Sequence, residues 1–526
     1  MKASQKIGVG AALLTAAVVL VIQAPNAAGQ QGKQEKKGGS DFADSVNPAL
    51  VTHPAPSNSG LGEHKRYNPD PMFSAQELIG RPTDTTVTID AAPVKAIEAY
   101  YEYGTKPGSY TGKTAPAKYP AGEPFNVEIQ KLKANTQYFY RMRYREGNGE
   151  YIARAEHTFH TARPAGSTYT FTVQFDPHMD ERSSDETYAL SLKNMLADKP
   201  DFMVDLGDNF FVDKLNPKSK EGVEDRMLLM RSYYDILNHS AALFLSMGNH
   251  EGEKGATAAV AANANADAGK KGGGNNGVNI GILDALARKR YFPNPIPNNF
   301  YTGSTKEEAI VGVRQANYAF TWGDALFIVL DPYWNHPQAP EMAGDWNLTL
   351  GKEQYDWLKT TLEGSKAKYK FIFSHNLIGG LDMDGAMRGG VEVVKYLEMG
   401  GYNLDGTWGW DKARPGWAKP IHQLLVENNA SIYFHGHDHT YAKQDLDGIV
   451  YQEGPQPSAS GTELGNRGKQ YNYIHGTVLG GTGYLRVTVS PEKTKVDYVE
   501  TWIPSKETAQ HKNGEIADSY VVLPKK

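Results

Sequence analysis

The residues able to do chemistry in this chain fall into five short motifs: Asp176-Pro177-His178, Gly207-Asp208-Asn209, Gly248-Asn249-His250-Glu251, a single His375, and Gly436-His437-Asp438-His439. Carboxylate, imidazole and amide oxygen form a donor set that suits zinc, manganese or iron rather than a soft thiolate site, and the chain contains no Cys. Two divalent ions roughly 3.5 to 4 Å apart would supply a nucleophile at neutral pH and compensate charge on a phosphoryl group in transfer to water. One carboxylate must bridge such ions, and Asp208 is the natural candidate. Asp176 and Asp208 contribute two negative charges against four positive ones, so the site would attract an anionic phosphate ester.

Each candidate follows an apolar run that reads as a buried strand. Tyr169 to Phe175 precedes Asp176 and His178, Asp201 to Leu206 precedes Asp208, and Ala242 to Met247 precedes Asn249. Tyr369 to Phe373 precedes His375, and Ser431 to Phe434 precedes His437 and His439. Open α/β sheets bind their ligands at the carboxyl ends of strands. Taken singly, Gly-Asp and Gly-Asn are ordinary turn pairs, Asp-Pro starts turns, and a lone His after a strand is a core or surface residue. Their joint placement at strand ends favours a site. His435, His422 and His336 are read as ordinary residues.

Asp-x-His, Gly-Asp, Gly-Asn-His-Glu, His and Gly-His-x-His resemble the signature of the calcineurin-like metallophosphoesterases, over roughly residues 168–502. The resemblance implies that Asp176, His178, Asp208 and His439 hold one metal, and that Asp208, Asn249, His375 and His437 hold the other. It makes His250 the residue that stabilises or protonates the leaving oxygen, oriented by Glu251 or another carboxylate. It also implies two mixed sheets flanked by helices, an α/β (α+β) sandwich. Glu186 to Asp198, Gly222 to Asn238, Lys352 to Glu363 and Trp417 to Asn428 have helical apolar spacing, Asn317 to Gly323 and Ala325 to Asp331 suggest paired strands, and 448–522 returns to a β pattern.

Residues 82–165 read as all-β: Thr85 to Ile89, Ala96 to Tyr103, Phe125 to Ile129 and Gln137 to Tyr144 are β-branched or aromatic runs broken by Gly, Pro and Asn. Tyr138, Tyr140, Met142 and Tyr144 would share one face. The stretch from Leu132 to Tyr138 resembles the tyrosine corner of fibronectin type III-like domains. Such a domain ahead of the site resembles the architecture of purple acid phosphatases. The alternative is a spacer attached to an unrelated phosphoesterase, because fold does not carry function. The chain departs from the purple acid phosphatases in one respect. They pair Asp-x-Gly with Gly-Asp-x-x-Tyr, whose phenolate binds ferric iron. Here the first motif ends in His178 and Phe211 takes the Tyr position, which implies divalent ions and no tyrosinate band unless another residue such as Tyr441 binds.

Residues 1–29 carry Lys2 and Lys6, an apolar stretch from Ile7 to Ile22 and the small residues Ala27-Ala28-Gly29, the layout of a secretory signal peptide. The stretch is shorter than the roughly 20 residues that span a bilayer, so no stable membrane span is expected after cleavage, and a secreted or periplasmic location follows. Without Cys, neither a lipoprotein anchor nor disulfides are expected. Residues 30–81 read as a low-complexity, extended linker and 166–526 as the phosphoesterase domain. The net charge of -5 offers no basic footprint for long nucleic acids.

Two insertions flank the motifs. Residues 252–279 are Gly/Ala/Asn-rich, either a mobile lid or an exposed segment with too little apolar content to pack. Residues 376–416 hold Asp382, Asp384, Arg388, Trp408, Trp410 and Arg414, which would either line the substrate mouth or form the loop's own core and salt bridges.

These readings predict an exported enzyme that uses two divalent ions (Zn, Mn or Fe) to lower the pKa of a bound water toward about 7 and hydrolyse phosphate monoesters of small molecules. The alternatives are a phosphodiesterase acting on cyclic or other nucleotides, and an inactive surface protein that binds without turnover.

Overall fold

The computed structural model describes residues 50–53, 61–253, 279–335, 346–347, 349–378, 388–459, 467–471 and 473–525. The segment read as a signal peptide, most of the first insertion, Asp382, Asp384 and His336 lie outside these residues.

Two mixed sheets face each other. In the first, the strands run in space Ile516–Val522, Thr494–Glu500, Gly483–Val489, Tyr169–Gln174, Phe202–Asp205, Ala242–Leu245, Phe73–Gly80, Val87–Pro93 and Phe125–Ile129. The second runs Thr302–Gly303, Tyr318–Trp322, Ala325–Val329, Tyr369–Phe373, Ile432–His435, Ile449–Glu453, Tyr441–Leu446 and Thr477–Leu479. Tyr169–Gln174, Phe202–Asp205 and Ala242–Leu245 are mutually parallel, as are Ala325–Val329, Tyr369–Phe373 and Ile432–His435. Parallel strands buried on both faces need apolar side chains at successive positions rather than in alternation. The inner faces meet through a run of Phe rings: Phe171 on Phe202 at 5.3 Å, Phe202 on Phe327 at 5.2 Å, Phe327 on Phe371 at 5.4 Å and Phe373 on Phe434 at 4.9 Å between centroids. The outer faces carry helices. Met203, Leu243 and Leu245 pack in one cluster with residues of helices Asp185–Ala197 and Lys220–Tyr234. Ile328, Ile372 and Tyr433 pack with helices Lys352–Gly364 and Ile421–Glu427.

The four helices expected from spacing are present with shifted ends. Ser219, whose hydroxyl accepts from Gly222 N at 3.0 Å, starts its helix at Lys220 rather than Gly222. Pro420 sits at the N-cap of Ile421–Glu427 and delays that helix from Trp417.

The N-terminal region is β-rich. A third sheet pairs Ile97–Gly104 with Gln137–Arg145, and His157–His160 pairs with the latter. Tyr138, Tyr140, Met142 and Tyr144 share its buried face. Phe73–Gly80, expected to be part of an extended linker, is instead a buried strand. It joins Ala242–Leu245 through the Leu243 and Gly80 register, so the first sheet runs without a break from the phosphoesterase strands into the N-terminal region. Its polar residues are buried because they find partners: Gln76 Nε2 donates to Asn68 Oδ1 at 2.9 Å, and Glu77 pairs with Arg154.

Candidate metal centre

The loops that leave the parallel strands converge at one end of the two facing sheets. Asp176, His178, Asp208 and His439 each offer one ligand atom, and these atoms lie within 4.8 Å of one another; Asp208, His375 and His437 form a second such group. All are buried. Asn249 joins the second group, its Oδ1 3.0 Å from His375 Nε2. Every residue that the sequence placed at the site is therefore brought together, with Asp208 common to both groups.

The backbone is bent sharply to achieve this. Asp176, His178, Asp208, His437 and His439 all have positive φ, between 49° and 81° together with Met179 and Phe211. For non-Gly residues such conformations cost on the order of 1–3 kcal/mol each and persist where surrounding structure enforces them. The enforcement is visible. Glu251, fully buried, accepts from Gly248 N, from Asp208 N at 2.9 Å, from Asn209 N at 2.6 Å and from Phe210 N at 3.1 Å. His437 N donates to Asp176 Oδ2 at 2.9 Å, and His250 N donates to Asp208 Oδ1 at 2.8 Å. Two motif glycines are needed for close approach. A Cβ on Gly248 would stand 2.3 Å from Asp208 Oδ1, and one on Gly436 2.5 Å from Asp176 Oδ2.

The electrostatics fit a cation. Asp176 and Asp208 are 0 % and 1 % exposed, and imidazoles lie close to both carboxylates. His375 Nε2 is 3.6 Å from Asp176 Oδ1 and 3.4 Å from Asp208 Oδ2, and His439 Nε2 is 3.5 Å from Asp176 Oδ1. Burial would raise both carboxyl pKa values, but the nearby histidines outweigh it, His375 foremost, and hold both below the usual carboxylate range. Burial would lower His375; the two carboxylates, Asp208 foremost, raise it to about 9. His178 Nε2 is buried 3.5 Å from Asp208 Oδ2, with no hydrogen bond of its own. A divalent ion would neutralise the same carboxylates and use that nitrogen. His375 is already oriented for this, because Nδ1–H donates to Leu206 O at 2.7 Å and leaves Nε2 for the site.

His250 lies at the edge of the cluster, one-fifth exposed, its Nε2 4.0 Å from Asp208 Oδ2. The carboxylate facing its Nδ1 is Asp213, at 2.9 Å, whereas Glu251 is occupied by backbone N–H groups. Asp213 was not singled out in the sequence. It lies five residues after Asp208, and only the left-handed turn at Phe211 (φ 53°) brings it under His250. Phe211 fills the space between the imidazoles, its ring 4.3 Å from His178 and 4.0 Å from His250. Tyr441 is engaged elsewhere, donating to Asp518 Oδ2 at 2.7 Å.

Within the second insertion the described apolar residues Val393, Val394, Met399 and Trp410 pack into the core on the outer face of the second sheet rather than forming a separate core of their own. Trp410 is buried among Trp346, Tyr355 and Trp417, and Arg414 pairs with Glu398 at 2.6 Å. Trp408 is half exposed. Arg388 turns toward the metal loop and donates to His437 O and Asp438 Oδ1, each at 3.0 Å. His435 faces Glu453 at 2.6 Å and His422 bonds Tyr451 Oη at 2.6 Å, so neither belongs to the cluster.

Facing mixed sheets with a buried Asp/His cluster at their strand ends define a metallophosphoesterase. The chain belongs to the calcineurin-like phosphoesterase family, which matches residues 176–441. It is a metal-dependent phosphoester hydrolase of mixed α/β fold. Among solved structures it is similar to PhoD, at 18% identity over 86% of this chain and 90% of that one, with a TM-score of 0.56. It is also similar to purple acid phosphatase PPD1 from yellow lupin (Lupinus luteus) seeds, at 14% identity over 85% of this chain and 74% of that one, with a TM-score of 0.53. No curated protein sequence matches it. Among the described residues no helix is long and apolar enough to cross a membrane.

Proposed function

We propose that this protein hydrolyses phosphate monoesters of small molecules with two divalent ions, one held by Asp176, His178, Asp208 and His439, the other by Asp208, Asn249, His375 and His437. The observation that carries the reading is the membership of Asp208 in both donor groups, since a bridging carboxylate is what a paired-ion site requires. Such ions, when bound, supply a nucleophile at neutral pH and offset charge on the phosphoryl oxygens. Zn, Mn or Fe suits the donors.

The chain's own part is orientation and proton handling. Asp213 accepts from His250 Nδ1–H, which fixes the ring so that Nε2 points toward Asp208 and the substrate space. In the imidazolium form both nitrogens carry hydrogen, and Nε2–H is the proton that passes to the leaving alkoxide. Residues 82–165 serve as a fibronectin type III-like unit, a reading supported by Lys133 N donating to Tyr138 Oη at 2.9 Å, as a tyrosine corner requires. Residues 1–29 direct export, supported by Lys2, Lys6 and the apolar stretch that follows. Amino-terminal sequencing of protein recovered outside the cytoplasm checks this.

Turnover of para-nitrophenyl phosphate against bis(para-nitrophenyl) phosphate by the metal-loaded protein tests the substrate class. Preference for the monoester is expected. Preference for the diester would assign a phosphodiesterase, and turnover of neither by a fully loaded protein would make it a binding protein.

A further inference from the structure

The loops that carry Asp176, His178 and Asp208 meet directly through His178 N, which donates to Asp208 O at 3.0 Å. Because both loops pass through left-handed residues, the carbonyls of His178 and Phe210 are within reach of helix Lys220–Tyr234. One side chain of that helix meets both. Arg226, 3 % exposed, donates from Nε to Phe210 O at 2.6 Å and from Nη2 to His178 O at 2.8 Å. Its neighbour Asp225 pairs instead with Arg66, and no ion pair among the described residues includes Arg226.

This use of a buried guanidinium is costly. Arg231 on the same helix is equally buried but pairs with the Asp90 carboxylate. A buried cation with no carboxylate in ion-pair contact carries a desolvation penalty of several kcal/mol, which the more distant Asp225, Asp180 and Glu251 offset only in part, and an apolar side chain would fill the position at lower cost. What an apolar side chain cannot do is bridge two carbonyls; a Lys ammonium can donate to two, as Lys370 does to Leu362 O and Asn428 O, but it lacks the planar fork that holds Nε and Nη2 at a fixed separation.

We propose that Arg226 is a positioning residue for the metal centre: its guanidinium spans the His178 and Phe210 carbonyls and so fixes the separation of His178 from Asp208. This rests on the assignment of those two residues as ligands. The two proposed ligands sit in loops leaving separate strands, and among the described residues their backbones hydrogen-bond to each other through the single His178 N bond to Asp208 O. Groups that orient metal ligands typically matter 10–100-fold for metal affinity, and the same range is expected here.

The test titrates Zn²⁺ into metal-depleted wild-type protein, Arg226→Lys, Arg226→Ala and Asp208→Ala by calorimetry, with thermal unfolding of each metal-depleted protein as the check on folding. Arg226→Lys should keep the wild-type stoichiometry but bind about 10- to 100-fold more weakly. Guanidinium ion at millimolar concentration should restore part of the loss in Arg226→Ala, and ammonium should not. Affinity of Arg226→Lys indistinguishable from wild type would overturn the inference, as would Arg226→Ala that guanidinium leaves unchanged. If Arg226→Lys does not fold, the guanidinium arm decides alone. Equal Zn²⁺ binding by wild type and Asp208→Ala would instead refute the ligand assignment, so the two failures are told apart.

Discussion

Acidification should loosen the seam between the N-terminal sheet and the phosphoesterase sheets, through a pair of histidines remote from the metal loops. His157, on strand His157–His160, stacks on His239 with ring centroids 4.0 Å apart and planes 29° apart. Tyr140 Oη donates to His239 O at 2.8 Å across the same contact. Burial lowers His157 to about 4, with Arg154 adding to the effect; burial also lowers His239 to about 3, with His157 adding and Glu77 opposing. Both rings are thus neutral when folded and titrate near 6.5 when unfolded. The unfolded chain binds more protons below that value, so stability is intact above pH 6.5 and falls as the pH drops toward 4. At pH 5 the unfolded ring gains about 2 kcal/mol from protonation that the folded ring does not. Water reaches part of each ring, which screens the effect to about 1 kcal/mol, or about 2 kcal/mol for the pair. Urea unfolding of metal-depleted wild type and His157→Phe at pH 8 and pH 5 measures it. The variant should lose about 1 kcal/mol less than wild type over that interval, since the difference cancels the titration of all other groups. Equal losses in the two proteins would refute the reasoning.

Asp208→Ala should remove most of the bound metal and the activity; elemental analysis finding the wild-type metal content with normal turnover would sink the assignment of the bridge. His250→Ala should keep its metal and lose roughly 10² to 10⁴ in rate, less with good leaving groups, whereas loss of metal in step with activity would make His250 a ligand. Asp213→Asn should fall between wild type and His250→Ala in rate with metal content unchanged, and a rate equal to wild type would remove Asp213 from the proton path. Iron-loaded protein should lack a tyrosinate charge-transfer band, because Phe211 stands where a phenolate would be needed and Tyr441 is bound to Asp518; a strong purple band persisting in His178→Ala would show that a tyrosine does ligate.

What the sequence made legible were residues whose position depends on local pattern. Asp176, Asp208, Asn249, His375, His437 and His439 each follow an apolar run, and a buried parallel strand delivers whatever follows it to the same end of a sheet. The residues that were not legible depend on tertiary geometry. Asp213 looks like any turn acid until Phe211 adopts a left-handed φ, and Arg226 lies mid-helix where an Arg ordinarily faces water. Phe73–Gly80 carries Ser74, Gln76 and Glu77, a polar pattern that argues against a buried strand. It is buried because Arg154 and Arg231 reach its polar side chains and backbone: Arg231 Nη2 donates to Gln76 O at 2.6 Å.

That same strand changes what a truncation would mean. By pairing with Ala242–Leu245, Phe73–Gly80 occupies what would otherwise be the open margin of the parallel sheet, next to the strand that leads into Gly248-Asn249-His250. A fragment starting near residue 166 would retain every proposed ligand. It would also uncover the side of Ala242–Leu245 where Gly80 now pairs with Leu243, leaving that strand as a sheet edge, the kind of surface that recruits strands from other molecules. The N-terminal region is in this sense a built-in guard against self-association, and expression of the hydrolase without it should give aggregates rather than a smaller enzyme.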